Sequence, residues 1–226
     1  GLLMHAQGKS LPAIRYYQIG DSLGMIEKEF NLACKAKFAI ADLQRQAGNY
    51  PAAMNRIQEA EALAAEHHLL FDLLEAKCRY LSVFIEANSR QQDTLYLMQA
   101  NRLMDSIFAI PKIPIMYLAY VQAEAGAVAL KRKQYGRAKT MFEESAKNSI
   151  ALGAMQDYCN QQVNLFLVLT LSGNDDEALR FGPKVLQDNA KFGFTRRDNE
   201  VYIPLEQIAL KAGDFEAAYR YQGLGR

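Results

Sequence analysis

The chain lacks a charge excess of either sign. Its 226 residues carry 26 Lys and Arg against 25 Asp and Glu, a formal net charge of +1. A nucleic-acid binder normally shows a basic surplus or stripe, so no nucleic-acid partner is expected. The two short basic runs, Lys131-Arg132-Lys133 and Arg196-Arg197, read as cations at helix C-terminal ends, where they meet the negative end of the dipole. Cysteine is scarce too. Cys34, Cys78 and Cys159 are odd in number and have no CxxC spacing, which excludes a disulfide framework and a zinc site and fits a reducing, cytoplasmic setting. No run of eighteen apolar residues occurs, so membrane insertion is not expected. The opening Gly-Leu-Leu-Met-His-Ala has neither an initiator Met at position 1 nor a signal-peptide layout.

Catalytic signatures are missing in the same way. Only three histidines occur, His5, His67 and His68, with no HExxH spacing, and the adjacent pair, read as helical, would project to different sides of its helix. No GxGxxG or P-loop is present, and Glu143-Glu144 and Asp175-Asp176 read as a solvated face and a helix first turn rather than an acid/base pair. No catalytic residue, metal or cofactor is expected; the chain reads as a non-enzyme.

What the sequence does contain is one phrase, repeated. Gly213-Asp214-Phe215-Glu216-Ala217-Ala218 is echoed by Gly48-Asn49-Tyr50-Pro51-Ala52-Ala53, by Gly173-Asn174-Asp175-Asp176-Glu177-Ala178 and by Lys133-Gln134-Tyr135-Gly136-Arg137-Ala138. Gly8-Lys9-Ser10-Leu11-Pro12-Ala13 is a looser copy, and Asn88-Ser89-Arg90-Gln91-Gln92-Asp93 a degenerate one. The closing alanines, 13, 53, 138, 178 and 218, are spaced by 40, or by 40 plus 45 across the degenerate copy. Periods of this size mean stacked supersecondary units.

The phrase is a helix stop followed by a helix start. Glycine accepts the left-handed conformation that closes a helix. Asn49, Asn174 and Asp214 are placed to cap the next helix, Pro51 and Pro12 fall in first turns, and Asn174 with Glu177, like Ser89 with Gln92, has capping-box spacing. The alanine, one turn further, is a small residue where two helices cross closely. Apolar spacing then predicts helices over about 11–30, 32–47, 50–65, 71–87, 90–108, 116–132, 135–152, 157–171, 175–191, 199–212 and 215–222. The repeats fall at 1–30, 31–70, 71–110, 115–155, 156–195 and 196–226, with the chain expected to begin inside the first. Pro111 and Pro114 predict a bend at 109–115, Pro183 a kink or early stop, and Pro204 a start or kink. The loop at Phe192-Gly193-Phe194-Thr195 is longer than the others.

These copies resemble the tetratricopeptide repeat (TPR). The second half of its signature is carried by Ala53, Ile57 and Ala60, by Ala138, Phe142 and Ser145, and by Ala13, Tyr17 and Gly20. Gly126 fits the small residue midway along a first helix. The chain departs from the family in having no tryptophan and a period of 40 rather than 34, as in helical regions of bacterial signalling proteins. The resemblance implies an all-α, right-handed α-α superhelix of about six antiparallel helix pairs, the first truncated. It further implies a non-catalytic scaffold that binds a protein or peptide in a concave groove, as the interaction or sensory region of a larger bacterial regulator. The alternative it leaves open is a small-molecule-sensing or homodimerising module that controls a diguanylate cyclase, histidine kinase or transcriptional activator domain. Groove residues are expected on the first helix of each pair: Lys35, Phe38, Asp42 and Arg45; Glu75, Cys78, Ser82 and Ile85; and then Tyr120, Ala123, Ala127, Asn160, Val163, Leu167, Glu200, Ile203 and Gln207, an apolar stretch that is either open or buried by closure.

Overall fold

A computed structural model describes residues 10–91 and 94–225. Residues 1–9, with Gly8, His5 and the start of the first repeat, and Gln92 and Asp93 of the degenerate copy lie outside the described residues. Eleven α-helices follow one another among those described: α1 (Ser10–Ile26), α2 (Phe30–Gln46), α3 (Tyr50–Glu66), α4 (Leu70–Gln91), α5 (Thr94–Phe108), α6 (Ile115–Lys131), α7 (Tyr135–Ala151), α8 (Met155–Leu171), α9 (Asp175–Phe192), α10 (Asn199–Lys211) and α11 (Phe215–Leu224). A short 3₁₀ turn, Thr195–Arg197, precedes α10. The chain divides into two compact units, Gly1–Ile113 and Pro114–Arg226, at the proline pair singled out above. Each unit is a stack of antiparallel helix pairs, consecutive helices packing on one another.

One three-residue connection builds almost every joint. Residues 28, 48 and 68 in the first unit, and 133, 153, 173, 193 and 213 in the second, all have positive φ, at 20-residue intervals within each unit. In each case the next residue donates its N–H to the carbonyl five positions back: Asn49 to Gln44 at 2.9 Å, Gln134 to Ala129 at 2.9 Å, Asp214 to Ala209 at 3.0 Å. That is the Schellman closure, which satisfies carbonyls at the helix end. The 40-residue period is thus two 20-residue halves, with the same turn before first and second helices. Glycine supplies the left-handed residue at 48, 153, 173, 193 and 213, whereas Lys28, His68 and Lys133 adopt it at a steric cost. His67 and His68 therefore belong to a turn, not to two sides of a helix; His67 stacks on Phe30 with ring centroids 3.5 Å apart.

The caps are only partly those expected. Asn49 Oδ1 accepts the Ala52 N–H (3.3 Å) and Asp214 Oδ1 that of Ala217 (2.9 Å), but Asn174 caps nothing and donates to Ser172 Oγ (2.9 Å). Ser89 is inside α4, bonded to the Ile85 carbonyl at 2.8 Å. So α4 runs to Gln91 and α5 begins at Thr94, later than the capping-box spacing predicts. Nor does Pro183, which is exposed, stop α9: the helix continues to Phe192. Pro204 sits inside α10, which starts five residues earlier.

The signature alanines Ala13, Ala53, Ala138, Ala178 and Ala218 are all buried. Opposite them, Gly126 gives its place to Phe142: a Cβ at 126 would lie 2.6 Å from the ring. Gly182 does the same for Phe166 and Leu205. Cores are formed by Phe38, Tyr50, Ile57 and Val83 in the first unit, and by Phe142 with Leu165 and by Phe166 with Leu205 in the second. The three cysteines are buried thiols. Burial, then the Asp72 carboxylate, pushes Cys34 up to about 11.

Urea unfolding checks two consequences. Lys133→Gly should stabilise the chain by ~0.5–1 kcal/mol, the relief of left-handed strain less the added entropy of the unfolded glycine. Gly126→Ala should cost about 1–3 kcal/mol by overpacking against Phe142. A neutral Gly126→Ala would show that the α6–α7 crossing yields freely.

Candidate partner-binding surface

The first helices of successive pairs lie side by side within each unit: α2 beside α4, and α8 between α6 and α10. The expected groove residues ride on these helices, and the two units use them differently.

In the first unit the charged positions are tied to one another. Arg79 of α4 bonds Asp42 of α2 and, one turn back, Glu75 (Nε to Oε1, 2.7 Å). Arg45 of α2 bonds Glu86 of α4, lies 3.7 Å from Asp42, and shares Glu86 with Arg90 (2.8 Å). Three carboxylates and three guanidiniums alternate as Glu75, Arg79, Asp42, Arg45, Glu86, Arg90, all but Arg90 partly buried. Asp42, Arg45 and Glu75 stand in this ladder with Arg79, Glu86 and Arg90, which the spacing missed. Their signal was present in the four-residue offsets Glu75/Arg79 and Glu86/Arg90. Lys35 is exposed; Ser82, half-buried, donates to the Cys78 carbonyl at 3.3 Å; Ile85 is half-buried. Phe38 and Cys78 are corrections, since both are buried in the core and offer no surface. Phe38 lies beneath Arg79, whose guanidinium carbon is 5.8 Å from the ring centroid.

In the second unit the expected stripe residues are uncharged apart from Glu200. Tyr120, Ala123 and Ala127 on α6, and Asn160 and Leu167 on α8, are half-buried, while Glu200, Ile203 and Gln207 on α10 are exposed. Val163 is the third correction: it is buried with Phe166 and Val201. Phe38, Val163 and Ile203 share one register, ten residues before their turn residues, yet only Ile203 is exposed.

A polar cleft of about 590 Å³ lies beside this stripe, lined by Gln156, Asn160, Gly193, Phe194, Thr195, Arg196, Arg197 and Glu200. Arg197 holds its wall together. It donates to both Glu200 oxygens (2.8 and 2.7 Å), to the Asn160 carbonyl (3.2 Å) and to Asn164 Oδ1 (2.9 Å). Its hydrogen bonds hold the Glu200 carboxyl below the usual range. That linkage stabilises the fold above the ordinary Glu value and is lost as pH falls through the lowered one. Arg197 thus precedes a helix and anchors the loop, rather than lying at a C-terminal end. The unusual length of the Phe192–Thr195 loop was legible; Asn164 and the role of Arg197 were not.

No protein-family profile matches the sequence, and no curated protein matches it. Solved structures do. BtubC (BKLC) from P. vanneervenii superposes with a TM-score of 0.73 at 15% identity, over 97% of this chain and 89% of that one. Nearly identical TPR-like repeats of a kinesin light chain-type protein from Podosopora anserina match with a TM-score of 0.58 at 16% identity, over 85% of this chain and 92% of that one. A second structure of those repeats gives 0.52, again at 16% identity, over 84% and 90%. The fold is TPR-like. Among the described residues of this TPR-like chain no helix is long and apolar enough to cross a membrane, and no group of three or more His, Cys, Asp or Glu is arranged to hold a metal ion.

The ladder between α2 and α4 is partly exposed, so each pair contributes modestly. A double-mutant cycle on Asp42→Ala and Arg79→Ala should return a coupling of ~0.5–1 kcal/mol at low salt that shrinks as NaCl rises. Zero coupling at low salt would mean that the two groups are solvated separately.

Proposed function

We propose that this chain is a non-catalytic scaffold that binds an extended or helical segment of another protein along the first-helix face of its second unit. The observation that carries the reading is the contrast between the two units. Where α2 meets α4, charged side chains are spent on one another. Along α6, α8 and α10 the face instead offers Tyr120, Leu167 and Ile203 as apolar points, Ile203 at 51% exposure, with the amides of Asn160 and Gln207 among them. Apolar points with interspersed amides suit a peptide: its side chains pack on the former, and its backbone bonds the latter. The TPR-like fold of the structural relatives is compatible with such use, because stacked helix pairs present long continuous surfaces.

A peptide library displayed against the chain tests this. Selected binders should lose at least about tenfold in affinity with Ile203→Asp or Asn160→Ala and be indifferent to Lys35→Ala. Both altered side chains lie at the surface, so melting temperatures should stay within a few degrees. Binders that ignore Ile203 and Asn160 would overturn the assignment.

A further inference from the structure

The polar cleft between α8 and α10 carries hydrogen-bonding capacity that the chain itself does not use. Tyr120, Asn160 and Glu200 share one register, thirteen residues before the left-handed positions 133, 173 and 213, and the cleft opens at the last two of them. On its wall all three nitrogens of the Arg197 guanidinium are engaged, and both Glu200 oxygens accept from them. The charges of this pair cancel. Arg196, one residue earlier, lines the same cleft, is exposed, and has no hydrogen bond or ion pair among the described residues. The Thr195 hydroxyl and the side-chain amides of Gln156 and Asn160 are likewise unbonded among the described residues. A guanidinium supplies five N–H donors and no acceptor, so the free capacity of the cleft is rich in donors and carries one positive charge.

We infer that the cleft holds the carboxylate of an Asp or Glu side chain within the bound segment, paired with Arg196 and bonded further by Thr195 and the Gln156 and Asn160 amides. The inference rests on the peptide reading above and names what that peptide carries. Charge selects the ligand. A monoanion neutralises the one free cation, and its two oxygens match the guanidinium fork. A phosphate dianion would leave surplus negative charge beside Glu200, and a cation would meet Arg196 with the Glu200 oxygens already taken. Position selects a side chain over a chain terminus. Glu200 at the cleft and Ile203 at the apolar point are three residues apart on α10, roughly 4.5 Å along its axis. A segment lying over Ile203 therefore passes the cleft within the length of one acidic side chain. Arg197 is a positioning residue: by holding Glu200, Asn160 and Asn164 it keeps the wall in place and leaves Arg196 to the ligand.

Peptides selected by display against the full chain are first sorted by their response to Ile203→Asp, which tests the groove itself. Those that respond should contain an Asp or Glu, and synthetic versions with that residue changed to Asn or Gln should bind at least about tenfold more weakly. On the Arg196→Ala chain the acid and amide versions should bind alike, and on Arg196→Glu a lysine in place of the acid should bind better than the acid. Arg196 is exposed and unpaired, so the melting temperature should not move. Amidating the peptide's C-terminus should leave affinity unchanged, and phosphoserine at the acidic position should not raise it. Responders that tolerate the amide, or whose loss persists on Arg196→Ala, overturn the carboxylate assignment and leave the groove standing. The same holds for loss on amidation, which would give the cleft to a chain terminus, and for tighter binding of phosphoserine, which would give it to a phosphorylated segment. If no binder responds to Ile203→Asp, groove and cleft assignments fall together.

Discussion

Each unit depends on a single backbone event, the left-handed residue that ends one helix and aims the next. With the Schellman bonds made, a helix stops without orphaned carbonyls, and the chain reverses in three residues. Short connections of this kind leave neighbouring helices no choice but antiparallel contact, and the buried alanines then set how closely they approach. Tertiary packing supplies what short helices lack in isolation. That the same geometry is reached by glycine at five turns and by Lys28, His68 and Lys133 at three others shows that the position, not the residue, is fixed by the stack.

Lateral joints between pairs are solved in two chemistries. The α2–α4 joint carries an alternating row of guanidiniums and carboxylates, with Arg79 over the Phe38 ring. The α8–α10 joint interlocks Val163 and Phe166 with Val201 and Leu205 and confines its polar network to the loop held by Arg197. Ionic joints are directional and salt-sensitive, while apolar ones are limited by shape. A surface made of the first kind has few groups left for a partner.

Most of the architecture was legible because helix ends are written locally. Gly48, Gly173 and Gly213, with Ala53, Ala178 and Ala218 five residues on, fixed the period and placed helix boundaries within a few residues. The half-period was harder to see, because two of its turns use Lys28 and His68, residues that do not announce a left-handed conformation. The α4–α5 boundary was misplaced because Ser89 serves equally well as a cap and as a helix residue bonded four back. Of the surface, spacing put Phe38, Cys78 and Val163 among the groove positions, where the structure buries them. Whether a residue one step from the seam is covered depends on its neighbour across the joint, and that neighbour is about forty residues away in sequence.

The identical turns before first and second helices give the chain a parity. Adding or removing two helices with their turns, forty residues, returns every downstream helix to the same role. Adding or removing one exchanges the roles of all that follow, so that helices built around a buried Ala138 or Ala178 would take the place of those built around Gly126 or Val163. Length variation that keeps the fold should therefore come in even numbers of helices. The 22-residue α4 shows the other permitted change, in which one helix lengthens by about a turn and leaves the alternation intact.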